Sequence, residues 1–333
     1  MAQSKGLKRH KQQSGGSDWT AVGATLPSVL HFEQMTPTME RLLDAGTEIR
    51  GKPEPDDAEK SFLTKYLVQV TLPHRNPGKV PAFRRTNGNI TLTVQPGLSD
   101  DLQPLYPYGT VPRLLLYWIT REALRQKSRK LELGDSINGF LRDLGMSAAN
   151  GRGQRSDARR LRDQMERLFR ARISIDVKGG DANRGGHAWQ DMQVAPKGAT
   201  WWDFKNPAQG CLFESWIELG EDFYQAILAD PVPVDIRALA ALKRSPLALD
   251  LYAWATYQTF VVTRNGKGRK VPWRGLQQQL GADYKDYDDF RKKAVAGLKK
   301  VQTVFPGLQI VEVGGGFWIN PSRPAVLPRS VLL

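Results

Sequence analysis

The sequence predicts an α+β chain made of two copies of one helix-turn-helix-hairpin unit, and three observations carry that prediction. The order apolar helix, short helix, basic helix, β-hairpin occurs twice along the chain. Superposing LLYWIT on DLYAWAT sets Tyr117 on Tyr252 and Leu144-Gly145 on Leu280-Gly281, an offset of about 135 residues with one gap. A chain of 333 residues, 40% of them hydrophobic, has the material for roughly two domains with a sizeable core.

Residues 1–20 are rich in Lys, Gln, Ser and Gly with almost nothing to bury, so they read as a tail. A short amphipathic stretch near Met35–Leu43 is followed by GKPEPDDAEK (51–60), whose prolines and acids suggest a linker. Residues 1–60 are therefore expected to be flexible tail and linker, with an ordered body from near Phe62. YLVQVTLP (66–73) and NITLTVQP (89–96) read as strands, and Asn87-Gly88 as a tight turn.

VPRLLLYWITREALRQK (111–127) carries Pro112 near its start and is apolar on nearly every side, which suits a central helix. In GDSINGFLRDLG (134–145), Asp135 offers an N-cap, Ile137, Phe140, Leu141 and Leu144 share one face, and Gly145 is a stop. The basic stretch GRGQRSDARRLRDQMERLF follows, with Ser156 or Asp157 as cap. On a wheel of about 100° per residue, Leu161, Met165, Leu168 and Phe169 fall in one arc and the arginines opposite. RISIDV (172–177) then alternates as a strand, and GGDANRGG turns the chain into a returning strand, a hairpin of the kind called a wing.

A connecting piece, 211–235, leads to the second copy. LDLYAWATYQTFVV (249–262) is again apolar all round, WRGLQQQLG (273–281) is a short helix, and YDDFRKKAVAGLKKVQTVF (287–305) is a longer basic one. There Phe290, Ala294, Leu298, Val301 and Phe305 form the apolar stripe, with Lys292, Lys293, Lys299 and Lys300 across from it. LQIVEV, Gly314-Gly315-Gly316 and FWIN close the unit as a hairpin. The expected boundaries are 61–230 and 231–322 for the two domains, with a C-terminal tail at 323–333.

A formal net charge of +14 and a pI near 9.8 favour an acidic partner, nucleic acid before an anionic membrane surface. The apolar faces of both basic helices are needed inside the units, which argues against a membrane role. No apolar run is long enough to span a bilayer, and MAQSKGLKRHKQQSGGS lacks the core of a signal peptide, so a cytoplasmic protein is expected. A single cysteine, Cys211, excludes an intrachain disulfide and reads as a small buried residue. His10, His31, His74 and His187 show no ligand spacing, and no G-x-x-x-x-G-K-[ST] occurs. Neither a metal nor another cofactor is expected. Asp286, Asp288 and Asp289 could be a carboxylate cluster for nucleotidyl transfer, but at a helix start they read first as capping and dipole compensation. Trp189, Trp201 and Trp202 could stack bases, with core or interdomain packing the preferred role.

For one arginine-rich helix, a solvated face with Asp163 and Glu166 pairing neighbouring arginines is the plain alternative. Two basic helices in equivalent places favour nucleic acid, with each helix laid in a major groove where Arg grips guanine and other cations neutralise phosphates. One feature departs from a tight helix-turn-helix. The loop MSAANGRGQR is longer than the usual 3 to 4 residues.

From about Phe62 to Pro321 the chain resembles the plasmid-encoded replication initiators of iteron-type plasmids, the RepA family. The stretches that carry this are VPRLLLYWITREALRQKSRKLELGDSINGFLRDLG, RLRDQMERLFRARIS, LFESWIELGEDFY and PVPVDIRALAALKRSPLALDLYAWATY. Residues 1–60 carry no such resemblance. It implies two tandem winged-helix domains, binding of double-stranded DNA at direct repeats (iterons) of a plasmid origin, and duplex opening with host initiator and helicase proteins. It also implies homodimers that bind an operator and repress their own gene. It implies that the basic faces of 155–170 and 291–300 read major grooves; with the basic stretch itself, the expected DNA-binding residues are Arg152, Arg155, Arg159, Arg160, Arg162 and Arg170 in the first unit and Arg291, Lys292, Lys299 and Lys300 in the second. Such a protein is not an enzyme. The competing readings are a transcriptional repressor or DNA-architectural protein with the same domains and, further off, a primase or nuclease.

Overall fold

The computed structural model describes residues 36–147, 156–181, 184–202, 209–210, 215–280, 284 and 286–327. Its first helix, α1 (Pro37–Gly51), lies within the stretch expected to be tail and linker. Leu42 and Ile49 are buried on one face of α1, and Gly46 between them meets the backbone of Thr303, where a Cβ would come within 2.5 Å of the carbonyl oxygen. The sequence showed only the start of this helix, the amphipathic stretch near Met35–Leu43, because the surfaces that cover it, on residues 236–242 and 287–304, lie far along the chain. Gly46→Val is expected to cost about 1–3 kcal/mol by overpacking this contact, read as a lower urea midpoint.

The chain continues as β1 (Lys60–Thr64) and α2 (Lys65–Gln69), so the strand expected over 66–73 is instead a short helix. Thr64 caps it by accepting from the Leu67 amide, and this local bond outweighs the β-branched composition that follows. β3 (Ile90–Gln95) and the turn at Asn87-Gly88 are as expected, with Gly88 at φ 59°, but the partner strand across that turn is β2 (Phe83–Asn87), which was not anticipated. A small ribbon, β4 (Gly97–Leu98) with β5 (Pro104–Leu105), leads to α3 (Val111–Gln126), which is buried on nearly every side as its composition required. β6 (Lys130–Gly134) precedes α4 (Ile137–Asp143), whose cap is Ser136 rather than Asp135. The Ser136 hydroxyl accepts from the Gly139 amide at 3.3 Å.

Then come α5 (Asp157–Arg170), β7 (Arg172–Asp181), β8 (Arg184–Gln193), β9 (Lys197–Ala199), β10 (Ser215–Glu218), α6 (Glu221–Ala229) and β11 (Pro231–Asp235). The remaining elements are α7 (Ile236–Leu242), α8 (Pro246–Asn265), β12 (Arg269–Pro272), α9 (Trp273–Leu280), α10 (Tyr287–Val304), β13 (Ile310–Val313) and β14 (Gly316–Ile319). Cys211 lies outside the described residues.

Both halves share one connectivity: a central helix, a strand, a short helix, a basic helix and two further strands. The three strands order as first, third, second in each half, β6-β10-β9 in one and β12-β14-β13 in the other. In the first half the two closing strands are β9 and β10, not the hairpin directly after the basic helix. That hairpin, β7–β8, was expected to be the wing; it joins β2–β3 in a four-stranded sheet, β2-β3-β7-β8. The reason lies in the side chains. Ile90, Leu92 and Val94 of β3 stand opposite Val177, Ile175 and Ile173 of β7, an apolar ladder of three pairs, whereas β6 carries only Leu131 and Leu133. The first half's two extra segments, before α3 and after α5, thus come together as one sheet.

The repeat also begins earlier than the central helices. β1 and β11 pair antiparallel from Lys60↔Asp235 to Thr64↔Pro231, and each runs straight into a short helix. The Lys65 amide donates to the Asp230 carbonyl at 3.2 Å and the Ile236 amide to the Glu59 carbonyl at 2.8 Å, so the ribbon is closed alike at both ends. Thr64 caps α2 and Asp235 caps α7.

A buried ionic group ties the halves together. Asp250 of α8 accepts from Arg113 of α3 at 2.7 and 2.8 Å and from His74 Nε2 at 2.8 Å. Arg113 also donates to the carbonyls of Leu72, Pro73 and Gly109. Burial alone would raise the Asp250 carboxyl, but Arg113 and His74 bring it down to about 2.

Candidate nucleic-acid interface

Ser156 starts α5 by accepting from the Arg159 amide, and Leu161, Gln164, Met165 and Leu168 turn inward. Gln164 fixes the helix further, its side-chain oxygen accepting from the Tyr108 amide at 2.9 Å. This burial fixes the roll of the helix, which leaves Arg159, Arg160, Arg162 and Arg170 on the far side. Arg152 and Arg155 lie outside the described residues.

These arginines differ in what holds them. Arg160 pairs with Asp157 at 2.9 Å, and Arg170 with Glu166 at 3.4 Å while also donating to the Leu98 carbonyl at 3.2 Å. Exposed pairs of this kind contribute little, so a phosphate can displace the carboxylate. Arg159 makes no side-chain hydrogen bond or ion pair with the described residues. Arg167 is set apart: it is half-buried, bonds Asp163 at 2.9 Å and lies over the Tyr108 ring, so its part is to seat the helix.

Helix α10 separates its charges along its length. Asp286 caps it by accepting from the Asp289 amide at 2.8 Å, and Asp288 and Asp289 occupy the first turn, where carboxylates complement the helix dipole. Phe290, Ala294, Gly297, Leu298, Val301 and Val304 are buried. Lys292, Lys293, Lys299 and Lys300 are exposed, and none of them forms an ion pair with the described residues. Arg291 departs from the expected set: it reaches Glu312 of β13 at 2.7 Å, which ties the basic helix to its own hairpin. Among the described residues no group of three His, Cys, Asp or Glu side chains is placed to hold a metal ion. No described helix is long and apolar enough to cross a membrane.

Two tryptophans expected to pack are on the surface. Trp189 of β8 is 69% exposed beside the His187 ring, and Trp201 is 54% exposed. The β7–β8 pairing explains Trp189: by strand alternation it stands on the face opposite the buried Met192. Trp202 is buried as expected, against Phe140. Sequence reasoning missed a third basic feature. Lys243 bonds the Gly145 carbonyl and Arg244 bonds Thr38 of α1, one turn before Arg41, and Arg41, Arg244 and Asp157 of α5 are all within electrostatic reach of Lys243; residues so far apart in the chain carry no local signal of their meeting.

What the fold and these faces define is a chain of two like-connected units, each exposing a basic helix. It belongs to the family of plasmid encoded RepA proteins, the plasmid replication initiators its sequence resembles; that family's description matches residues 106–274. Among solved structures, the chain is similar to the one titled "Crystal structure of SeMet derivatives of domain2 and domain 3 of RctB". The identity is 13% and the TM-score 0.44, covering 76% of this chain and 95% of that one. None of the curated proteins matches the chain.

Proposed function

We propose that the chain is a plasmid replication initiator of two tandem winged-helix domains, which binds direct repeats at its origin with α5 and α10 in successive major grooves. Binding bends or strains the duplex toward opening, and host initiator and helicase proteins are then recruited. The observation that carries this reading is the doubled unit: the same strand order is built twice, and the basic helix is exposed at the same place in each. A single basic helix would be an ordinary solvated face, whereas two at equivalent positions suit a repeated groove.

The reading is non-enzymatic. The carboxylates best placed for metal chemistry, Asp286, Asp288 and Asp289, are engaged in starting α10. A dimer on an operator that represses the chain's own gene belongs to the same reading.

The test is a footprint on DNA from the parent replicon. Protection is expected over direct repeats beside an AT-rich tract, each site covering two successive major grooves, about 20 base pairs. Protection of one groove only would remove α10 or α5 from the interface. A single inverted repeat at a promoter, with no repeats protected, would make the protein a repressor instead.

A further inference from the structure

The strongest unassigned feature is the basic cluster where the two halves meet. Lys243 and Arg244 sit between α7 and α8, in the second half, yet Lys243 Nζ donates to the Gly145 carbonyl at the end of α4, in the first. Arg244 Nη1 donates to Thr38 Oγ1 of α1 at 2.9 Å, and Arg41 follows one turn later on the same helix. Burial first, then the nearby Arg41 and Arg244, hold the Lys243 ammonium below the usual lysine range, with Asp157 alone opposing. Asp157 is already engaged: it accepts from Arg160 at 2.9 Å and from the Ser147 amide at 3.1 Å. Neither Arg41, Lys243 nor Arg244 forms an ion pair among the described residues.

Lys243 thus has two like charges within reach and a single carboxylate, already engaged, to offset them, and an arrangement of this kind is relieved by an anion from outside. The position says which anion. Helix α1 meets Thr303 of α10 through Gly46, while its first turn meets Arg244; the neighbouring Lys243 holds Gly145, two residues before the Ser147 amide that bonds Asp157 of α5. The cluster is therefore joined by contacts to both basic helices. A duplex that offers successive major grooves to α5 and α10 carries a phosphate backbone between those grooves.

We propose that Arg41, Lys243 and Arg244 form a phosphate clamp that grips the DNA backbone between the two grooves and sets the register of the two basic helices. The proposal rests on the DNA-binding reading above. The two arginines supply forked donors to phosphate oxygens, and Lys243, held by the Gly145 carbonyl, supplies a fixed charge behind them. Phosphate contacts of this kind position a protein without reading sequence.

The experiment uses the full chain with Arg41→Gln, Arg244→Gln and both together; Lys243 is left in place because it bonds the first half. Affinity is measured against salt on a duplex from the parent origin and on one of unrelated sequence. The expected result is a salt slope shallower by about 1 for each phosphate released from the clamp, equal on both duplexes, with Arg244→Lys keeping most of the slope. Arg159→Ala serves as the control that weakens origin binding. Slopes unchanged in the double variant, while that control still loses affinity, would overturn the clamp and leave the DNA-binding reading standing. A wild-type chain that binds neither duplex would overturn both. Loss of stabilisation by sodium triphosphate in the double variant, with the DNA slope unchanged, would make the cluster a small-anion site and also overturn the clamp.

Discussion

Replacing Asp250 by alanine is expected to destabilise the folded chain by about 3–5 kcal/mol, far more than removal of an exposed ion pair would. The carboxylate takes both forks of the Arg113 guanidinium and the His74 ring, and all three side chains are buried. Without it, Arg113 keeps its charge in a site that water cannot reach, with three carbonyls as its remaining partners. Removing both charges, as in Arg113→Met with Asp250→Leu, is expected to cost less than Asp250→Ala alone, because no uncompensated ion remains. Equilibrium urea unfolding checks both, and a loss under about 1 kcal/mol for Asp250→Ala would show that the ionic group does not hold the halves.

The same group dictates an acid response. The folded Asp250 carboxyl titrates at about 2 against an ordinary value of 3.8, so the unfolded chain binds the extra proton between those values. The stability it contributes is present above about pH 4 and is lost as the pH falls toward 2. Wild type should therefore lose more stability than Asp250→Asn between pH 5 and pH 2.5.

The second large effect concerns recognition. Arg159→Ala is expected to weaken binding to origin DNA by about 1–3 kcal/mol, roughly 5- to 150-fold, if its guanidinium reads a base. Arg159 is singled out because it is exposed on the face opposite Leu161 and Leu168 and its side chain makes no bond with the described residues. Lys299→Ala in α10 is expected to weaken origin and unrelated duplexes alike and to lower the salt slope by about 1, as a phosphate contact does. Titrations on both duplexes separate the two behaviours. Unchanged binding of Arg159→Ala at moderate salt would take α5 out of the groove.

Several elements were legible because their signals are local. Asn87-Gly88 announced a hairpin, Pro112 and the apolar run announced α3, and Gly314–Gly316 announced the closing hairpin. The inward and outward faces of α5 and α10 followed from helical periodicity alone, and so did the separation of Leu161 and Leu168 from Arg159 and Arg162. Helix α2 was misread because a single capping bond at Thr64 decides a short apolar segment whose composition favours a strand. The strand β6 and helix α7 passed unread; IRALAAL (236–242) is apolar at every position but Arg237 and so shows no period.

The sequence by itself determined that this protein is a doubled unit with a basic helix in each copy, because repetition and amphipathic period are properties of the chain taken in order. The tertiary structure alone decided which strands meet. It sent β7–β8 to β3, gave the equivalent place to β9–β10, and closed the repeat through β1 and β11. It also brought Asp250 to Arg113 and His74, Lys243 to Gly145 and Arg244 to Thr38. Pairing and charge convergence depend on distance in space, which the order of residues does not encode for partners so far apart.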